Sequence, residues 1–500
     1  MKRSAATLAL LTSGALLLSQ QPPPRLEATV NAQAAARPFP HFWERMFGSG
    51  RAILSLRDSY RRDLRAVRDI TGFSYVRFHA IFHDETGLYQ KDGEEHPVYN
   101  FSYIDQIYDG LLENGVRPFV ELSFMPRALS ATQNLHAFWY KPLPNPPKSY
   151  DEWGDLVYNF TRHLVERYGV DEVANWYFEV WNEPNIDFWA GEPRQSTYFE
   201  LYDAAAAAVK RASPRLRIGG PATAQAAWVD AMIAHADKAH VPLDFVSTHV
   251  YGNDSAEDVF GTHEKIPRSD MVARAVRKVH DQVSQSAHPD LPIIWSEYNA
   301  SYKNEVDVTD APFLGPWLAN TIRLCDGLQT MMSYWTFSDV FEEQGVVKTP
   351  FYGGYGLIAA DGIPKAAFND FAMLHQLGEE RLPLDVPWAL ATRRRDGSLA
   401  IAAWNYAPPE EAGQPMDAHL TIQGAGAFAH VRIQVVDRDH GSSLTAWEAM
   451  GRPSFPTREQ IQHLRDAATI PPPRELQTLS RGSIDLHLQP HSLALIEVLH

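Results

Sequence analysis

The sequence predicts an α/β chain: a (β/α)8 barrel of the TIM type followed by a C-terminal β-sandwich domain. Three observations carry this expectation. From about residue 45, short runs of β-branched and aromatic residues alternate with longer helical patterns, eight times over. After about residue 385 the pattern changes to short period-two segments separated by turns such as Asp396-Gly397. The fourth and seventh strand-like runs each close on a glutamate, where a barrel strand delivers side chains to the functional face.

The N-terminal stretch stands apart from the fold. Met1-Lys2-Arg3 is basic, residues 5–18 are mostly apolar, and Ala32-Gln33-Ala34 offers a small-x-small cleavage site. This is a secretory leader pattern, and the apolar run is too short for a comfortable membrane span. Residues 1–35 are therefore assigned to a leader and spacer, and the mature chain is expected to be secreted or periplasmic with no membrane attachment.

The barrel is expected over residues 36–384. Its strands fall at 45–48, 75–79, 117–124, 175–182, 216–220, 245–251, 292–298 and 330–337. Helical patterns lie between and after them, near 58–70, 102–114, 151–168, 195–212, 225–239, 268–286, 312–326 and 364–378. Gly115, Gly169 and Gly378 stand where a helix ends. A doubly wound sheet shows the same alternation, but Gly48-Ser49-Gly50 lacks the helix-opening glycine of a phosphate fingerprint. Residues 385–500 carry the sandwich, with strands at 391–394, 398–406, 418–423, 429–437, 483–488 and 492–498 and a helical insertion at 457–468.

Charge excludes some partners. There are 45 basic and 61 acidic residues, a net charge of −16, which disfavours nucleic acid and polyanions. The aromatic share of 11% suits sugar-binding faces, although aromatics fill cores first. The single cysteine, Cys325, lies in a helical pattern and reads as a buried thiol, so the chain has neither a disulfide framework nor a cysteine metal site.

Chemistry concentrates at the two glutamates. Glu183 lies in Trp181-Asn-Glu-Pro-Asn185, and Glu297 in Trp295-Ser-Glu-Tyr-Asn299. Hydrolysis of a glycosidic bond needs one carboxyl to protonate the leaving oxygen and a second carboxylate to attack or stabilise the sugar cation. Glu183-Pro184 holds the glutamate off helical geometry. Asn182 offers an amide for a sugar hydroxyl. Tyr251, His249, Tyr298 and Tyr302 are possible donors to Glu297. Glu179 shares a strand face with Glu183 and reads as a buried paired carboxylate. His79 and His249 end strands, Trp335 can stack under a sugar ring, and Arg77 reads as an inward charge paired with a barrel carboxylate. No histidine pair shows ligand spacing, and the reaction needs no metal or other cofactor, so neither is expected.

These strings, with Tyr75-Val-Arg-Phe-His79, Val120-Glu-Leu-Ser-Phe-Met-Pro126, Ser247-Thr-His-Val-Tyr251, Tyr334-Trp-Thr-Phe-Ser-Asp339 and Phe341-Glu-Glu343, resemble glycoside hydrolase family 39. The likeness extends from about residue 40 into the second domain, through 446–451 and 490–497. That family holds β-xylosidases and α-L-iduronidases. The resemblance implies a retaining mechanism with Glu183 as acid/base and Glu297 as nucleophile. It implies a sugar site including His79, Asn182, His249, Tyr251, Trp335, Glu342 and Glu343; Phe124 and Tyr302 are further substrate-binding candidates. A terminal β-linked xylose is the first expectation for the substrate. An iduronidase-like or other exo-glycosidase, a transglycosylase and a non-catalytic carbohydrate-binding barrel are the alternatives. The acidic Glu342-Glu343 pair would repel a uronic acid, which counts against iduronide.

Overall fold

The computed structural model describes residues 25–424, 429–478 and 482–499. The basic start, the apolar run 5–18 and Pro22–Pro24 lie outside the described residues.

Eight parallel strands close a barrel. They are β1 (Met46–Gly48), β2 (Tyr75–Phe78), β3 (Arg117–Leu122), β4 (Tyr177–Val180), β5 (Arg217–Thr223), β6 (Phe245–Tyr251), β7 (Ile293–Asn299) and β8 (Met331–Tyr334). The ring closes where β8 pairs with β1, Tyr334 beside Phe47. These strands are buried on both faces, which is why their sequences are continuous apolar runs rather than alternating ones.

Helices between them cover the outside: α1 (Asp58–Thr71), α2 (Ser102–Glu113), α3 (Tyr150–Tyr168), α4 (Arg194–Ala212), α5 (Val229–Ala239), α6 (Arg268–Ser284), α7 (Leu314–Cys325) and α8 (Ala366–Leu374). Their ends follow local rules. The Ser149 hydroxyl accepts the Glu152 N–H to open α3. Gly72, at φ 64°, closes α1 by donating its N–H to the Arg68 carbonyl.

Met46, Tyr75, Phe119, Tyr177, Phe245, Ile294 and Met331 cluster at the amino ends of the strands. This apolar plug seals one end of the barrel, so the open cavity lies at the carboxyl ends. Several strands also stop sooner than their sequence runs. β4 ends at Val180 because Trp181 and Glu183 turn to left-handed backbone, φ 71° and 44°. β2 stops before His79 and β8 before Trp335. The chain thus leaves the ladder just as it reaches the residues that face the cavity.

The second domain packs a seven-stranded sheet on a three-stranded one around an apolar core. The insertion forms a helix at Arg458–Ala467, opened by a capping box between Thr457 and Gln460.

One expectation needs correction. The leader-and-spacer reading of residues 1–35 fails at their end, where Leu26–Asn31 forms a strand that pairs in parallel with Met416–Gln423. Val30 is fully buried in the sandwich core. Arg37–Pro38 likewise joins the larger sheet. A cut at Ala32-Gln33-Ala34 would strip a strand from the sandwich. The alternating Leu26-Glu-Ala-Thr-Val30 is a strand signal that the cleavage pattern masked.

Candidate active site

The carboxyl ends of the strands surround a cavity of about 320 Å³. Glu183 enters it from the loop after β4. Its N–H donates to the Ala222 carbonyl at 2.8 Å, and Asn185 ties the same loop to Ala224 through both ends of its amide, at 2.8 and 3.0 Å. The left-handed backbone at Trp181 and Glu183 is the kind of strain that concentrates at functional sites, held here by these bonds.

Glu297 projects from β7. A register shift between Thr248 and His249 in β6 sets His249 beside it in the sheet. Each oxygen of Glu297 receives a donor: Arg77 Nη1 at 2.7 Å and the Tyr251 hydroxyl at 2.5 Å. Arg77 is fully buried and divides its guanidinium among four partners. Its other contacts are Glu179 at 2.6 Å, Glu121 at 2.7 Å and Asn182 Oδ1 at 3.0 Å. Both sequence readings of buried pairing, for Arg77 and for Glu179, match this fork.

Glu183 and Glu297 have different company. Burial, with Glu297 and Asp254 nearby, pushes the Glu183 carboxyl well above the usual range. Its Oε1 lies 3.0 Å from His249 Nδ1, and the far side of that imidazole meets Ser296 at 3.1 Å. Burial, then Arg77 and His79, holds His249 well below its ordinary value, so the ring is neutral. The surroundings therefore favour a protonated Glu183 at neutral pH, opposite a Glu297 bonded by a guanidinium and a phenol.

The remaining wall supplies polar groups and rings. Burial lowers His79, but the Glu121 and Glu297 carboxylates outweigh it and leave the imidazole above its usual value. Its Nδ1 meets Glu121 at 2.7 Å, and its Nε2 lies 3.6 Å from Glu343. Burial lifts Glu343 to about 8. The Trp335 ring packs on His79 at 4.8 Å, and a Cβ on Gly48 would collide with it at 2.1 Å, so that floor requires glycine. Glu183, His249 and Glu297 could together ligate a cation, their ligand atoms lying within 4.8 Å of one another. Arg77, at 2.7 Å from Glu297, already places a positive charge there and opposes a second.

Of the expected residues, Glu183, Glu297, His79, Asn182, Tyr251, Tyr302, Trp335 and Glu343 line the cavity. His249 lies beneath, between Glu183 and Ser296. Three other expected residues stand away from the cavity. Glu342 turns away, bound by Arg57 at 2.6 Å and Arg51 at 3.2 Å, because two guanidiniums outcompete an uncharged sugar for its carboxylate. Phe124 is fully buried behind the wall, packed on Trp181 at 5.4 Å and on Phe188 at 6.0 Å. Tyr298, offered as a donor to Glu297, instead stacks outside the barrel on Trp317. Sequence reasoning did not single out Asp254, Gln225, Gln344 or Tyr355, which line the cavity. Asp254 follows the His249–Tyr251 segment closely; Gln225 lies in a short 3-10 turn and Gln344 and Tyr355 in an irregular segment, with no local signal.

Splitting an acetal calls for one carboxyl to protonate the leaving oxygen and a second carboxylate across the same sugar ring, and the barrel mouth holds two facing carboxyl groups. That defines the class, a glycoside hydrolase. The chain belongs to glycosyl hydrolase family 39, whose model matches residues 26–481. It is 38% identical over 436 residues to a β-xylosidase of Geobacillus stearothermophilus, covering 85% of this chain and 86% of that protein. With a β-xylosidase of Caldicellulosiruptor saccharolyticus it shares 34% identity over 494 residues, covering 95% and 98%. The crystal structure of a monomeric β-xylosidase from Caulobacter crescentus CB15 superposes with a TM-score of 0.85 at 34% identity, covering 95% of this chain and 99% of that one.

Proposed function

We propose that the chain is a retaining β-xylosidase that removes terminal β-D-xylose by double displacement. One observation carries the mechanism: ligand atoms of Glu183, His249 and Glu297 lie within 4.8 Å of one another beside one cavity. Retaining enzymes hold their carboxyls about 5–5.5 Å apart, inverting ones about 6.5–9.5 Å to admit a water. Glu297 attacks the anomeric carbon while Glu183 gives its proton to the departing oxygen. The covalent glycosyl-enzyme then meets water, which Glu183 deprotonates, and xylose leaves with its configuration kept. Asn182, oriented by Arg77, is placed for a sugar hydroxyl.

The β-xylosidase relatives support the choice of sugar. So does the wall, where Glu343 and Asp254 would meet a uronate carboxylate with like charge or with desolvated acid. The compact cavity of about 320 Å³ suits release from a chain end rather than attack within a polymer. A panel of aryl glycosides varying only the sugar tests this. The β-xyloside should turn over fastest, and NMR of the first product should show the β-anomer. Fastest turnover of another glycoside refutes the sugar; an α-anomer refutes retention.

The leader pattern supports export, with cleavage upstream of Leu26 so that Leu26–Asn31 stays in its sheet. N-terminal sequencing of the mature chain locates the junction.

A further inference from the structure

The chain crosses between its two domains twice, side by side. It enters the barrel after the strand Arg37–Pro38 and leaves it after α8, towards the strand Glu380–Arg381 that pairs with the first. Phe39 N–H donates to the Glu379 carbonyl at 2.7 Å, holding the two crossings together. His41 and Glu44 lie on the first crossing, His375 on the second.

These three side chains converge. His41 Nδ1 lies 2.7 Å from Glu44 Oε1, and His375 Nδ1 lies 2.8 Å from the same oxygen. Their ligand atoms fall within 4.8 Å of one another. The turn Phe42–Glu44 is 3-10, with three residues per turn, which brings positions three apart towards one face. The polar accounting around the cluster is uneven. Glu44 is 4% exposed, and while Oε1 takes both imidazoles, its Oε2 has no partner. The buried His41 Nε2 also has none. A buried carboxylate that takes two nitrogens on one oxygen and leaves the other bare has an unused acceptor that a cation would engage.

The setting admits an ion. His41 and His375 line a surface pocket, and the His375 side chain is 44% exposed, which leaves a route from solvent. The pocket's arginines are engaged elsewhere, Arg394 with Glu497 at 2.7 Å and Arg395 with Glu379 at 3.1 Å. Two imidazoles and a carboxylate are a ligand set that zinc accepts, with a fourth position left for water. Tetrahedral bonds of about 2.0–2.1 Å place neighbouring ligand atoms ~3.3 Å apart, so the cluster has to open by roughly half an ångström.

We propose that His41, Glu44 and His375 form a structural site for a zinc-class divalent cation that clips the segment by which the chain enters the barrel to the segment by which it leaves.

The test uses the full chain, stripped with a chelator and titrated with Co²⁺, followed by visible absorption, and with Zn²⁺, followed by the melting temperature. The expected result is a saturable Co²⁺ spectrum and a Zn²⁺-dependent rise in melting temperature. His375→Ala, at a half-exposed position, should weaken binding by more than about tenfold. It should abolish the rise and leave glycoside turnover unchanged. Glu297→Gln, which alters the only other such cluster among the described residues, should retain both signals. Absence of saturable binding at sub-millimolar metal overturns the site. So does binding that survives His375→Ala or is lost in Glu297→Gln.

Discussion

Glu183 and Glu342 show how much a carboxylate's role depends on its neighbours. Both are glutamates in loops at the barrel mouth. Two arginines neutralise Glu342, while Glu183 sits among burial, a second glutamate and Asp254. Replacing Glu183 with alanine should slow turnover of substrates with poor leaving groups by about 10²–10⁴ and spare the first step with good ones. Comparing aryl xylosides of graded leaving-group acidity measures this. The pH dependence follows from the same surroundings. The first step needs Glu183 protonated, so kcat/KM falls as pH climbs through its raised pKa. Asp254→Asn removes one of the carboxyls that raise it, and the alkaline limb of the kcat/KM profile should move to lower pH.

At the scale of elements, the segment after β8 carries Trp335, Glu343 and Tyr355, yet has little regular structure of its own. A buried ion network holds it. Lys365 Nζ lies 2.6 Å from both Asp310 and Asp339 and donates to the Gly354 carbonyl at 2.8 Å. All three side chains are fully buried, so removing the single cation leaves two carboxyls uncompensated. Lys365→Met should cost about 3–5 kcal/mol in denaturant unfolding, with the larger loss at high pH, where neither aspartate can stay protonated. This is also the part of the site least visible in sequence. β6, β7 and the turn after β4 were legible because aromatic and β-branched runs mark the strand and a functional residue stands at its end. Gln344 and Tyr355 were not, because no periodicity distinguishes one position of an irregular segment from the next.

At the scale of the whole molecule, the N-terminal strand completes a domain built mostly from the other end of the chain. Leu26–Asn31 lies beside Met416–Gln423, with Val30 and Ala28 buried between the two sheets. Deleting residues 1–35 exposes a strand edge and removes apolar burial, of which Val30 alone contributes about 1.5–3 kcal/mol. The shortened chain should melt at lower temperature than one beginning at Arg25, as calorimetry would show.

Local patterning by itself determined the alternation of strands and helices, the change of character near residue 385 and the two glutamates near the carboxyl ends of strands four and seven. Those features repeat within windows of a few residues, where side-chain period and turn chemistry act. Only the tertiary structure decided that Glu342 belongs to arginines, that Arg77 serves Glu297 and Asn182 together, and that residues 26–31 close the sandwich. Each of these joins groups distant in the chain, and such a meeting is set by how the barrel closes and the domains dock, which no short stretch of sequence encodes.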